Sequence, residues 1–257
     1  MQLAALSMLT WVRRVAATRR TVVFLLCAGV ASAGWAGSFQ VNPIRIELSA
    51  SKRSMAVSVT NTGSEAVVVQ VNVEAWAQNE GRDVLGPTNE LLVSPPIATI
   101  PAGKLQIIRV GLRRAPDARR ELSYRLFLQE VPPPPKPGFQ GLQIALRVSL
   151  PVFIEPRAGQ AKATLVWSAS LKDENTVHLR LQNQGTGHIQ ISNLELSRTD
   201  ANEPIAAQSG LAYVLPGHSR DWDLKLRQTG VKKNDRLRLK VSTDAGSLDT
   251  EIDLANP

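Results

Sequence analysis

From Ser38 onward, apolar and polar residues alternate with a period of two in one short segment after another. Met55, Val57 and Val59 alternate with Ser54, Ala56 and Ser58, and Val67, Val69, Val71 and Val73 with Val68, Gln70, Asn72 and Glu74. The pattern returns in Leu142-Gln-Ile144-Ala-Leu146-Arg-Val148, Val177-His-Leu179-Arg-Leu181, Trp222-Asp-Leu224-Lys-Leu226 and Leu237-Arg-Leu239-Lys-Val241. Successive side chains of a strand point to opposite faces, so such alternation turns one side to a core and the other to water. Turn residues separate the runs: Asn61-Thr-Gly63, Pro101-Ala-Gly103, Gln184-Gly-Thr-Gly187 and Pro216-Gly217. No long stretch has helical spacing, which argues against an α/β enzyme and for sandwiches of short strands.

The segments fall into two groups. Seven or eight strands are predicted between Ser38 and Glu155 and about seven between Lys162 and Leu254, with Glu155-Pro-Arg-Ala-Gly159 between them as a short polar hinge. The expected fold is all-β: two immunoglobulin-like β-sandwich domains joined by that hinge, the first over 34–156 and the second over 157–257. The halves are not sequence repeats of each other, and neither has the paired cysteines of an antibody domain.

The first 33 residues read differently. Arg13, Arg14, Arg19 and Arg20 come without an acid, Thr21 to Val30 is an apolar run, and Ala31-Ser32-Ala33 follows. A basic stretch, a short apolar stretch and an A-x-A site make a secretory signal peptide over 1–33. A membrane anchor wants roughly 20 apolar residues, and the run falls short even when extended to Ala36. Thr18-Arg19-Arg20 has a faint likeness to a twin-arginine signal, but the general secretory route fits better. The one cysteine, Cys27, lies inside the signal, and Leu26 stands where a lipoprotein signal places a small residue. The mature chain therefore has no thiol for a disulfide or a nucleophile. Four of the eight net positive charges are the signal arginines, so a mature chain of about 224 residues is only mildly basic. Its basic residues are scattered and the whole chain has twelve aromatics, which is not the charged, aromatic-interleaved surface of a nucleic-acid binder.

The segment from Leu142 to Phe153 is unusual. Leu142, Ile144, Leu146, Val148, Leu150 and Val152 form a six-position apolar stripe, while the other face reads Gln143, Ala145, Arg147, Ser149, Pro151 and Phe153. A proline-rich loop, Val131-Pro-Pro-Pro-Pro-Lys-Pro-Gly138, precedes it. Pro151 is disfavoured in a central strand, so that end is expected at an edge or a bulge. A long apolar edge invites aggregation unless something covers it. On the residues alone, an ordinary core strand is the better account of such a stripe.

Three stretches together resemble the PapD-like periplasmic pilus-assembly chaperones: Ser54-Met-Ala-Val-Ser-Val-Thr-Asn61, Glu121-Leu-Ser-Tyr-Arg-Leu-Phe-Leu-Gln-Glu-Val-Pro-Pro133, and Leu142-Gln-Ile-Ala-Leu146 continuing to Pro156. They resemble that family's second, sixth and seventh strands. The resemblance implies that the seventh strand, over 142–152, is lent to a pilin subunit whose own sandwich lacks a final strand. Leu142, Ile144, Leu146, Val148 and Leu150 would then fill the subunit's groove, each burial being worth roughly 1.5–3 kcal/mol. It implies pilin subunits and an outer-membrane usher as partners, a periplasmic location, no cofactor and no metal. Self-association through edge strands is a further expectation, and nucleic-acid binding and stable membrane insertion after signal cleavage are not.

The resemblance also assigns site residues. Arg45, in Asn42-Pro-Ile-Arg-Ile-Glu-Leu48, falls on the family's first-strand arginine, which anchors the subunit's terminal carboxylate; an arginine fork suits a carboxylate. The partner lysine of the seventh strand falls on Pro151, which cannot bind an anion. Arg147, on the same side as Pro151, is the candidate replacement, with Arg157 a looser one. Arg109, Glu121 and Asp244 match a buried ion network that braces the two domains, fixing their angle more than adding stability. The short loop from Pro132 to Gly141, the absence of a cysteine pair near it, Pro95-Pro-Ile-Ala-Thr-Ile-Pro-Ala-Gly103 and Leu150-Pro-Val-Phe153 resemble the archaic, spore-coat-U-like subgroup.

Enzyme chemistry finds little support. His178, His188 and His218 share no metal-ligand spacing and read as lone surface histidines. No G-x-S-x-G elbow occurs. Gly103-Lys104 would need glycine at Ala98 and Ser or Thr at Leu105 to be a phosphate loop. An exported structural or adhesive sandwich, or a PapD-like chaperone for other clients, is the alternative, since fold alone does not decide function.

Overall fold

The computed structural model describes residues 39–134, 137–138, 142–201, 203–227, 230–232 and 234–255; the signal expected over 1–33, with Cys27, lies outside them. The described residues contain seventeen strands and no helix. Ten build the first sandwich: β1 (Phe39–Asn42), β2 (Ile46–Leu48), β3 (Ser54–Asn61), β4 (Val67–Asn79), β5 (Arg82–Pro87), β6 (Leu91–Ser94), β7 (Ile97–Ile100), β8 (Leu105–Leu112), β9 (Leu122–Val131) and β10 (Arg147–Ile154). One sheet has the order β1-β3-β8-β6, the other β2-β10-β9-β4-β5, with β7 also paired to β4. The count exceeds expectation because several of these strands, such as β1, β2, β6 and β7, are only three or four residues long.

The period-two pattern sets which side faces in. In β4, Val67, Val69, Val71 and Val73 are buried while Gln70 and Asn72 are exposed. They meet Val57, Val59, Ile108 and Val110 of the opposite sheet, and Leu126, Leu128, Val152 and Ile154 beside them, in one core. The chain crosses from the first sheet to the second between β1 and β2, which leaves Arg45 just ahead of β2 at the rim of the sandwich.

One expected strand is shorter than its apolar stripe. The ladder of β10 with β9 begins at Arg147↔Gln129, and residues 142–146 form no strand. The reason lies in β9, which ends at Val131 and runs into Pro132, Pro133 and Pro134; these lack the N–H groups that would extend the ladder. On its other side β10 pairs with β2 in parallel only at Val152, Phe153 and Ile154. Residues 147–151 thus keep a free edge among the described residues, and Pro151 stands on it as its missing N–H requires.

The second sandwich consists of β11 (Leu165–Asp173), β12 (Thr176–Asn183), β13 (Ile189–Arg198), β14 (Pro204–Val214), β15 (Ser219–Lys225), β16 (Arg236–Thr243) and β17 (Gly246–Ala255), in the order β14-β13-β16-β17-β11-β12-β15. Its core is filled by the alternating residues read from the sequence, among them Val177, Leu179, Leu181, Leu224, Leu237, Leu239 and Val241.

Each sandwich buries one asparagine at the end of a strand and satisfies it in the same way. The Asn61 Nδ2 donates to the Glu65 and Ile100 carbonyls at 2.7 and 2.8 Å, and its Oδ1 accepts from the Gly63 N–H at 2.8 Å. The Asn183 Nδ2 donates to the Gly187 and Val214 carbonyls at 2.7 and 3.1 Å, and its Oδ1 accepts from Gly185 and Thr164 at 3.0 and 3.1 Å. Gly185 is required there: a Cβ would lie 2.2 Å from the Lys162 carbonyl oxygen.

A second polar lock sits at the base of the first sandwich. Glu90 accepts from the hydroxyl of buried Tyr124 and pairs with Arg114. The Tyr124 hydrogen bond, helped by Arg114 and opposed by burial, holds the Glu90 carboxyl below its ordinary range. A carboxylate lowered in the folded state stabilises above its unfolded pKa, about 4.3, and loses that contribution as pH falls through the native value. In urea titrations between pH 7 and pH 3, wild type should exceed Glu90→Gln in stability most at neutral pH, and the gap should close below about pH 4.3. A gap independent of pH would show that the charge of Glu90 is not what matters.

Candidate functional site

Alternation gives the sheet β2-β10-β9-β4-β5 a second face, turned away from its core. Trp76 of β4, Arg125 and Phe127 of β9, and Arg147, Ser149, Pro151 and Phe153 of β10 lie on it. At one end this face meets the second sandwich. Trp76 and Phe153 pack with Leu215 and Tyr213 in a small core of their own. Phe153 also stacks on His188, with ring centroids 3.5 Å apart and planes 7° from parallel. Gln78 is buried at this contact: its Nε2 donates to the Tyr213 carbonyl and to Asp83, both at 2.9 Å, and its Oε1 accepts from the Leu215 N–H at 3.0 Å.

Charged groups ring the same junction. Arg45 lies 2.8 Å from Asp244 and donates to the Gln190 side-chain oxygen at 2.6 Å and to the Tyr213 hydroxyl at 3.3 Å. His188 Nδ1 is 2.7 Å from Glu121, whose same oxygen accepts from the His188 backbone N–H at 3.1 Å; His188 Nε2 is 3.7 Å from Asp244. The order of contact is Arg45, Asp244, His188, Glu121. Arg45 faces an open groove shared with Lys162, Leu248 and Asp244.

Arg125 is the second cation here. It stands directly opposite Pro151 in the β9–β10 register. Its guanidinium carbon lies 3.7 Å from the Trp76 ring centroid and 5.4 Å from that of Tyr213, whose ring Arg45 also borders at 5.8 Å. Arg125 has no hydrogen-bonded or ion-paired side chain among the described residues. Burial pushes its pKa down, with Asp83 and Tyr213 pulling the other way. A guanidinium stays charged in proteins, so the aromatic faces hold a cation whose charge is incompletely balanced.

Several sequence expectations are corrected. Arg109 is on the exposed face of β8, paired across the ladder with Ala56 and Ser94, and makes no ion pair among the described residues. Its sheet is the one turned away from the junction, so it does not join Glu121 and Asp244; His188 links them instead. His188 is accordingly no lone surface histidine. Arg147 lies against Phe127, 4.1 Å from the ring centroid, and is six residues from Phe153, or about 20 Å of strand, too far to serve beside Arg45. Arg157 is exposed in the hinge, where its backbone N–H donates to the Asp117 carbonyl. Leu150 is only 3% exposed and belongs to the first sandwich's own core, with Val148 and Leu146 partly packed against it. Leu142 and Ile144, 83% and 76% exposed, are the free members of the stripe.

Residues 38–160 match the family model described as "Pili and flagellar-assembly chaperone, PapD N-terminal domain". Residues 38–160 carry a PapD-like chaperone N-terminal domain. The chain is 24% identical over 158 residues to Chaperone protein PapD of Escherichia coli, covering 60% of this chain and 64% of PapD, so the match spans just under two thirds of that relative. It is 26% identical over 236 residues to Chaperone protein FimB/FhaD of Bordetella pertussis, covering 88% and 91% of the two chains. Among solved structures, the CsuC–CsuE chaperone–tip subunit complex of Acinetobacter baumannii matches with a TM-score of 0.64 at 22% identity, over 86% of this chain and 100% of that one. The YadV chaperone matches with a TM-score of 0.57 at 19% identity, over 85% and 100%. These likenesses show the fold. In the structure Arg45 lies at the junction and Arg125 stands opposite Pro151.

Gln78 offers a direct handle on the junction. Gln78→Ala leaves the Tyr213 carbonyl and the Leu215 N–H without their partner, a loss of about 1–3 kcal/mol. Urea unfolding should show that drop, and small-angle scattering should show a broader spread of domain separations. An unchanged scattering profile with full stability would mean that the aromatic packing alone fixes the junction.

Proposed function

We propose that this chain is an exported chaperone that binds pilus subunits in the periplasm by lending them the free edge of β10, then passes them to an outer-membrane usher. The first domain, over 34–156, would supply the strand, and the second, over 157–257, would close the groove. The observation that carries the reading is the course of β10. Its free edge continues into exposed Leu142 and Ile144 at one end and reaches two arginines, Arg45 and Arg125, at the other.

The geometry sets how a client would lie. A subunit strand whose terminal carboxylate sits between Arg45 and Arg125, and which pairs with β10, must run toward the junction, in the same direction as β10. Leu142 and Ile144, with half-buried Leu146 and Val148, would enter its groove, while Leu150 stays home. Hydrogen bonds to the added edge would complete the ladder, as in strand addition generally. Arg45 is engaged by Asp244 and Gln190 in the free protein, so carboxylate capture there is an exchange of partners; Arg125 has none to give up. The work is binding, with no covalent step and no cofactor. The proline-rich loop and the Leu150-Pro-Val-Phe153 run favour the archaic subgroup of this family.

The test is periplasmic co-expression with the pilin of the same gene cluster. Wild type should yield a soluble one-to-one complex. Arg125→Ala and Arg45→Ala should each lower its yield at least about tenfold, since hydrogen bonds to charged groups contribute about 1.5–3 kcal/mol, and Ile144→Asp should do the same by placing a charge in the groove. All three variants should keep wild-type thermal unfolding to within a few degrees. A pilin left aggregated by wild type would sink the pilus reading, and a complex indifferent to Arg125→Ala would remove that residue from the anchor.

A further inference from the structure

The face of β10 that borders its free edge carries three side chains before the junction: Arg147, Ser149 and Pro151. Only Arg147 is charged. It is exposed, and it makes no hydrogen bond or ion pair among the described residues. Its guanidinium lies 4.1 Å from the centroid of Phe127, a ring that is itself buried at 7% exposure. Phe127 pairs with Ser149 in the ladder, so the guanidinium leans toward the junction from its own position. That contact draws the guanidinium over β9, away from the open edge; released from the ring, the side chain can swing back across β10 to meet a partner there. The nearest acid on this face of the sheet is Glu74, which is on β4 beyond the whole width of β9 and accepts from Asn72.

We propose that Arg147 recognises a carboxylate side chain on the client's last strand, two or four residues ahead of the terminal carboxylate. The proposal rests on the strand-lending reading above. A parallel strand added to the free edge lies about 4.8 Å from β10, which brings their same-face side chains within reach of each other. With the terminal carboxylate held at the level of Pro151, a rise of about 3.3 Å per residue puts Ser149 about 7 Å back and Arg147 about 13 Å back. A parallel client strand of period two presents there, on the same face, the residues two and four places before its last one. Arg147 therefore adds a reading of sequence to an anchor that reads only a chain end, and clients of this chaperone carry Asp or Glu at one of those places.

The mature protein and synthetic peptides of alternating apolar residues test this by fluorescence anisotropy. Each peptide ends in a free carboxylate and carries Glu, Gln or Lys two or four residues before its end. At one of the two positions Glu should bind about two- to fivefold tighter than Gln, the range expected of an exposed cross-strand ion pair, and Lys should bind weakest. Arg147→Gln should erase the Glu preference and leave affinity for the Gln peptide unchanged; Arg147→Lys should keep part of the preference. Equal binding of Glu and Gln peptides by wild type, or a preference that survives in Arg147→Gln, overturns the role of Arg147. The same peptides with an amidated terminus separate the two ideas. If amidation costs nothing, or if no free-acid peptide binds, the strand-lending anchor itself fails and this role falls with it.

Discussion

The pairing of β10 with β2 covers three residues and stops, and the rest of the molecule is arranged around that stop. From Val152 to Ile154 the strand is held on both sides, its inner side chains are in the core, and Phe153 on its outer side docks the second sandwich. From Arg147 to Pro151 the same strand is held on one side only. A strand anchored at one end and open at the other can accept a partner without unfolding, because the backbone that would pair is already extended and in register. The cost of ordering it has been met by β9.

Charge at the junction divides into satisfied and unsatisfied groups. Arg45, Asp244, His188 and Glu121 contact one another in sequence across the two sandwiches. Networks of this kind return little net stability once desolvation is counted, and their value lies in fixing geometry. The apolar part of the junction, Trp76, Phe153, Tyr213 and Leu215, supplies adhesion. Arg125 is the unsatisfied charge: among the described residues it is propped on aromatic faces without an ion-paired carboxylate. A cation kept this way costs less than one buried in hydrocarbon and remains available.

Much of this was legible in the sequence. Period-two alternation located the strands and their inward faces, because side-chain direction in a strand depends only on parity; Val67 to Val73 and Leu237 to Val241 lie as their spacing demands. The position of Arg45 at the junction followed from a resemblance to a known family and not from the pattern. Parity does not say which strands are neighbours, so the pairing of Pro151 with Arg125 could not be read from either segment alone. His188 was missed for the same reason: its partners Phe153, Glu121 and Asp244 are distant in the chain. The stripe from Leu142 to Val152 was read at full length because alternation is blind to whether an adjacent strand exists, and the prolines after Val131 remove that neighbour.

The paired asparagines, Asn61 and Asn183, have a consequence for how the protein ages. Each uses both amide hydrogens and its oxygen, donating to two carbonyls and accepting from the backbone. Deamidation changes one atom of such a side chain and almost none of its volume, yet a carboxylate has no hydrogen to donate. It would face two carbonyl oxygens at hydrogen-bonding distance with nowhere to turn. A lesion invisible to packing would unfasten a strand end in whichever sandwich it struck.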